Sequence, residues 1–210
     1  MERMNNFRVI LNGCDIECKP RTIDIREKFN ISVDCFVFAF VGNVGENKNQ
    51  KQVVDAFELL PEEYQERIFV LFVGGGKSEE LREYVKTKNL QERLIVCGLA
   101  SKDEIQNYYY AANATVLTSK SEGFGLSIIE GMTYGLPCLT YSDLPAVVDL
   151  YNEKSMLLVE KRDDRALAQG MILMTQTKWD KTAIKQHSTH FSFDNMAKQY
   201  IQFYKDITES

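Results

Sequence analysis

The chain has 210 residues, 44% of them hydrophobic and 26% charged, an ordinary globular composition with enough apolar residues for one good-sized core. Its formal net charge of −5 argues against broad binding to nucleic acid or an anionic membrane, yet leaves room for a local anion site made from backbone N–H groups and a lysine or two. No continuous apolar stretch is long enough to span a bilayer, and the amino terminus MERMNNFRVILNG lacks the apolar run of a signal peptide.

Residues 1–33 hold one strand candidate, FRVILNG (7–13), then a polar stretch around Pro20 that wraps the fold. Four apolar runs follow: CFVFAFVG (35–42), RIFVLFVGGG (67–76), RLIVCG (93–98) and ATVLTS (114–119). Two shorter ones, PCLTY (137–141) and MLLVE (156–160), complete the series. Their length, their Val, Ile and Phe content and their terminal glycines predict strands covered on both faces.

Helical spacing fills most of the gaps. Residues 49–60 place Val53, Phe57 and Leu60 on one stripe, and residues 78–85 do the same with Leu81, Tyr84 and Val85, with Ser78 as a cap. Ser101 and Glu104 form a capping-box pair ahead of residues 105–109. Strand and helix alternate over about residues 35–175, which predicts a mostly parallel sheet with helices on both faces. The expected fold is a Rossmann-like doubly wound α/β domain over residues 34–177. Residues 178–210 carry two helices, WDKTAIKQHSTH (179–190) and SFDNMAKQYIQFYKDI (192–207), the second started by Ser192 and Asn195. Its stripe of Phe193, Met196, Tyr200, Phe203, Tyr204 and Ile207 packs either on the parent domain or against another domain or subunit.

The five cysteines, at 14, 18, 35, 97 and 138, have no metal-site spacing. Cys35, Cys97 and Cys138 sit in or beside apolar runs as small core residues, a usage that suits a reducing, cytoplasmic compartment. His187 and His190 fall in the late helical region, in solvated or structural roles.

In an open parallel sheet, ligands sit at the carboxyl ends of the strands, where helix N-termini point unpaired N–H groups. Two segments reach that edge: GNVGENKN (42–49), with Lys48, and KSEGFGLS (120–127), whose Gly123 and Gly125 precede a helix over about 125–134. Both are also readable as plain strand-to-helix turns. Glu130 lies a turn and a half into that helix among Leu126, Ile128, Ile129 and Met132, and a glutamate there needs a partner. Either it forms an internal hydrogen bond or ion pair, or it accepts two hydrogen bonds from a vicinal diol such as a ribose. Glu122 is a second acceptor beside the helix start, better suited to a sugar hydroxyl than to a phosphate. Donors for a diphosphate flanked by carboxylates for hydroxyls describe a nucleotide sugar.

SEGFGLSIIEG (121–131) resembles the E-x7-E signature of retaining glycosyltransferases with the GT-B fold, of the large family 4 type. The resemblance runs in order through NGCD (12–15), VGNVGENKNQKQVVDAF (41–57), FVGGGKSEELREYV (72–85), LIVCGLASKDEIQNYYYAAN (94–113), YGLPCLTYSDLPAVVDL (134–150) and FSFDNMAKQYIQFY (191–204). It implies that Glu130 binds the ribose diol and that Glu122 touches the donor sugar. The backbone at Phe124, Gly125 and Leu126 would cradle the diphosphate and sugar, and Lys48 would neutralise the phosphates. Glu122 and Lys48 are thus the catalytic candidates. Gly42, Asn43 and Gly123 join them in the donor-binding set.

The chain departs from that pattern at several positions. Asn43 stands where an arginine is usual, and losing a bidentate cation weakens phosphate binding. Asn49 replaces a usual glycine, Thr118 a usual proline, and Asp149 a common glutamate. The resemblance further implies a UDP- or GDP-sugar as donor substrate, with no cofactor and no metal. Such enzymes have two Rossmann-like domains, and the acceptor-binding one precedes the NG-D stretch. This chain therefore corresponds to the donor-binding half, partnered by an acceptor-binding domain in a longer protein or in a separate chain. Peripheral membrane association would come through that partner. A non-catalytic binding or regulatory subunit of a split glycosyltransferase is the alternative. A dinucleotide oxidoreductase is disfavoured, because GNVGEN does not meet the GxGxxG pattern.

Overall fold

The computed structural model describes residues 8–208. In chain order come α1 (Ile25–Lys28), β1 (Phe36–Val41), α2 (Gln50–Glu58), α3 (Glu62–Gln65), β2 (Ile68–Val73), α4 (Ser78–Thr87), β3 (Leu94–Gly98) and α5 (Ile105–Ala111). There follow β4 (Ala114–Leu117), α6 (Leu126–Thr133), β5 (Cys138–Tyr141), α7 (Val147–Leu150), β6 (Met156–Val159), α8 (Asp164–Gln176), α9 (Lys181–Ser188), a 3-10 turn (Thr189–Phe191) and α10 (Phe193–Thr208).

The strands form where the apolar runs are unbroken. Along β1, Phe38 and Phe40 join Val53 and Phe57 of α2 on one face. Val37, Ala39 and Val41 join Tyr108, Tyr109 and Ala111 of α5 on the other. A strand alternates its side chains between faces, so burial on both requires apolar residues at every position. Each large side chain buried this way contributes about 1.5–3 kcal/mol.

The six strands pair in parallel in the order β3-β2-β1-β4-β5-β6. From β1 the chain winds outward through β2 to β3, then crosses back to lay β4 on the other side of β1. This is the Rossmann-like doubly wound arrangement, with its reversal of strand order between β1 and β4. The two connections leave on opposite faces. α2 packs with α4 and α8. α6 lies on the face of Thr115, where a Cβ on Gly131 would stand 2.6 Å from the Thr115 Cγ2, so only glycine permits the approach. A crevice opens between the two departing loops.

Several local expectations are revised. The strand expected over 7–13 does not form in residues 8–13 (Phe7 lies outside the described residues). Among the described residues the pairing beside this segment is a single bridge from Cys14 to Ser192, with the Cys14 N–H donating to Phe191 O at 2.7 Å. Ser78 does not cap α4. Lys77 holds that position, and the Ser78 hydroxyl donates back to Gly74 O at 2.8 Å. Glu104 does reach back to the Ser101 N–H at 3.0 Å, although the Ser101 hydroxyl donates to the same carboxylate instead of accepting.

The two late helices behave differently from each other. α9 packs against α6. The Asp180 carboxylate starts it by accepting from the N–H groups of Thr182 and Ala183, at 2.9 and 3.1 Å. α10 begins at the Ser192 hydroxyl, which accepts from Asn195 N–H at 3.1 Å, but none of its residues is buried. It touches the amino-terminal segment, where Gly13 N–H donates to Met196 Sδ at 3.1 Å, while Tyr200, Ile201 and Tyr204 stay exposed. Among the described residues, no helix is long and apolar enough to cross a membrane.

Candidate functional site

The loop after β1 is held from both sides. Gly42 N–H donates to Val73 O at 2.9 Å and Val44 N–H to Gly75 O at 2.8 Å. The buried Gln50 amide closes it: Nε2 donates to Asn43 O at 3.1 Å, and Oε1 accepts from Gly45 N–H at 3.2 Å. Asn49 takes the left-handed conformation at the start of α2 (φ 54°), which asparagine tolerates better than most residues. That turn delivers Lys48 to the mouth of the crevice.

The loop after β4 is tied to it. The Thr118 hydroxyl donates to Lys48 O and Asn49 O, at 3.1 and 3.0 Å, so the residue standing in for the usual proline hooks the two loops together. Asn47 Nδ2 donates to Ser121 O at 2.9 Å. Glu122 then receives the Lys48 ammonium as an ion pair, and the Ser119 hydroxyl donates to the same Oε1 at 2.8 Å. Arg162, beyond β6, braces the loop by donating from Nη1 to Ser119 O at 2.8 Å. Its own orientation is set by Asp143, 2.8 Å from Nε, and by the Tyr141 ring beneath it.

Gly125 begins α6 in the left-handed region, with φ of 81° and no side-chain cap. A Cβ there would stand 3.1 Å from both Ile128 Cδ1 and Leu150 Cδ1. Gly125→Ala is therefore expected to cost about 1–2 kcal/mol of stability from the backbone alone, read as a lower urea midpoint. An unchanged midpoint would mean that this turn is not strained. The first N–H groups of α6, at Leu126 and Ser127, have no partner within the helix. Both residues line the crevice, and unpaired N–H groups at a helix start favour anions.

Glu130 takes the first of its two expected arrangements, an internal hydrogen bond. Its Oε2 accepts from the Tyr109 hydroxyl at 2.9 Å, and the residue lines two adjoining cavities. Burial pushes its carboxyl above the usual glutamate range, against the Tyr109 hydrogen bond and the more distant Lys102 charge. Gly42, Lys48, Glu122, Phe124, Gly125, Leu126 and Glu130 come together around a cavity of about 350 Å³. Asn43 and Gly123 are exposed and do not line it. Leu126 is not the core residue expected from the helical pattern. It is 47% exposed because it stands at the crevice, lining both cavities. The second cavity, of about 500 Å³, has Cys14, Gln106, Tyr109 and Tyr134 in its wall. Tyr109 and Arg162 were not singled out by sequence, and Thr118 only as a departure from the family pattern; each works through a partner far away in the chain, which leaves no local pattern.

The two loops thus converge at a strand-order reversal, an ion pair joins them and Glu130 stands between two cavities. The family model described as Glycosyl transferases group 1 matches residues 22–190. The chain belongs to this family. A group 1 relative from Escherichia coli, UDP-Gal:alpha-D-GlcNAc-diphosphoundecaprenol alpha-1,3-galactosyltransferase, is 29% identical, over 81% of this chain and 45% of its own length. D-inositol 3-phosphate glycosyltransferase of Corynebacterium urealyticum is 26% identical, over 95% of this chain and 51% of its own length. Among solved structures, Anabaena HepE in complex with UDP superposes with a TM-score of 0.78 at 20% identity, over 95% of this chain and 57% of that one. The group 1 chain described here thus spans about half the length of the relatives it matches, and its sheet is of the GT-B type.

Proposed function

We propose that this chain is the donor-binding part of a retaining glycosyltransferase that takes a nucleoside diphosphate sugar, UDP- or GDP-linked. The observation that carries the reading is the placement of Glu130 where the two cavities meet. The larger cavity takes the base, Glu130 accepts the ribose diol, and the smaller cavity takes the diphosphate and sugar. In the smaller one the N–H groups of Leu126 and Ser127 and the Lys48 ammonium meet the phosphate oxygens.

The expected chemistry breaks the bond between the sugar C1 and the diphosphate oxygen, leaving the electron pair on the diphosphate. An acceptor hydroxyl oxygen bonds to C1 on the same face and gives its proton to the departing diphosphate oxygen. Preorganised donors lower the barrier by meeting the charge that develops on the leaving group. Lys48 serves this purpose once it exchanges Glu122 for a phosphate oxygen, and Glu122 is then free to accept from a donor-sugar hydroxyl. The acceptor is presented by the remainder of the enzyme, in the same polypeptide or another chain. That partner brings any contact with a membrane.

Calorimetric titration with UDP, GDP and the corresponding nucleosides tests the reading. Saturable binding of one diphosphate is expected, at least about tenfold tighter than its nucleoside, since a charged hydrogen bond contributes ~1.5–3 kcal/mol. No saturable binding of either diphosphate sinks it. Asn43, exposed beside the cavity and uncharged, favours a second reading as a non-catalytic subunit of a split glycosyltransferase. Sugar transfer at ordinary rates by the protein joined to its acceptor-presenting half would exclude that second reading.

A further inference from the structure

Among the described residues, the Glu130 side chain has one hydrogen-bond partner, the Tyr109 hydroxyl. Tyr109 is nearly fully buried in α5, and its ring stacks on Tyr134 with centroids 5.2 Å apart and planes 17° from parallel. Stacked and enclosed, the ring has little room to turn, and its hydroxyl points at one place. That place is Glu130 Oε2, 2.9 Å away. Glu130 forms no ion pair among the described residues, although burial works against its charge. An isolated glutamate on a helix surface would sample several rotamers and turn toward bulk water; this one has an oxygen pinned from behind, at the wall shared by both cavities.

We propose that Tyr109 is a positioning residue for the donor site: its hydroxyl holds one carboxylate oxygen of Glu130 so that the other oxygen, and the remaining lone pairs, face the diol of a bound nucleotide. Tyr109 acts through Glu130, and its hydroxyl makes no bond to the ligand. A hydrogen bond to a charged acceptor is among the stronger ones in proteins. Pinning the carboxylate in advance also removes the ordering cost from the binding step. The inference rests on the donor-site reading given above.

The test is a cycle of two ligands and three variants, with UDP and 2′,3′-dideoxy-UDP titrated into wild type, Tyr109→Phe and Tyr109→Phe/Glu130→Ala, alongside Glu130→Ala alone. The guanosine pair replaces them if wild type binds only GDP. Phenylalanine keeps the stacked ring, and thermal unfolding confirms that the variant remains folded. In wild type, removing the diol is expected to weaken binding by about a hundredfold. In Tyr109→Phe the same removal is expected to cost only about tenfold. In the Glu130→Ala background, Tyr109→Phe is expected to change nothing further, the non-additivity of residues that act as one unit.

A tyrosine that serves packing alone would weaken both ligands equally, leaving the diol dependence as large as in wild type. That result overturns the positioning role while the donor site stands. Additive losses in the Glu130→Ala background overturn it as well. If wild type binds neither diphosphate, the donor site and this inference fail together.

Discussion

Glu130→Ala is expected to weaken the binding of UDP or GDP by about a hundredfold. A ribose diol donates two hydrogen bonds, and each bond to a carboxylate is worth ~1.5–3 kcal/mol when its partner is lost. The full sum is not expected, because Oε2 already accepts from Tyr109 and water fills the vacated space. Glu130→Gln separates charge from shape: it keeps an acceptor for the Tyr109 hydroxyl and is expected to lose about tenfold, between wild type and alanine. Acidification should act in the same direction. The diol needs the carboxylate, and burial raises the Glu130 carboxyl while Tyr109 and Lys102 oppose that shift. Nucleotide affinity is therefore expected to begin falling at a higher pH than an exposed glutamate would dictate. Equal affinities for wild type and Glu130→Ala, measured by calorimetry at neutral pH, would remove Glu130 from the binding site.

Lys48 and Glu122 are expected to shift diphosphate affinity in opposite senses. Both side chains are mostly covered, at 23% and 13% exposure, so water and salt screen them less than a surface pair. Lys48→Ala removes the cation from the small cavity and leaves the Glu122 charge beside incoming phosphates. A loss of about a hundredfold for UDP or GDP is expected, with the nucleosides unaffected. Glu122→Gln releases Lys48 from its partner and removes the like charge, so the diphosphate alone is expected to bind about fivefold tighter. Transfer by the protein joined to its acceptor-presenting half should nonetheless fall in both variants, by about a hundredfold or more for Lys48→Ala. Tighter diphosphate with slower transfer is the signature of a group that favours the reacting complex over the product. If Glu122→Gln weakens the diphosphate instead, Glu122 contributes to phosphate binding and the exchange of partners is wrong.

Much of this was legible in the chain itself. The runs at 35–42 and 67–76 are apolar at nearly every position, and only a strand covered on both faces asks for that. Gly125 was legible because a helix start at a ligand edge needs a residue that accepts positive φ, and Glu130 because a charge inside an apolar helix demands a partner. The stretch FRVILNG misled for the same kind of reason. Its composition suits a strand, but a strand exists only beside another, and among the described residues 8–13 pair with none.

Residue order determined which segments become strands, which loops carry glycine and charge, and that both loops end at one edge of the sheet, because alternation and helical spacing are written locally. Tertiary structure alone decided that Tyr109 stands behind Glu130, that Arg162 braces Ser119, that Thr118 joins the two loops and that Lys48 rests on Glu122. Each of these contacts joins side chains from different elements. Its strength depends on distances and angles that no spacing along the chain records.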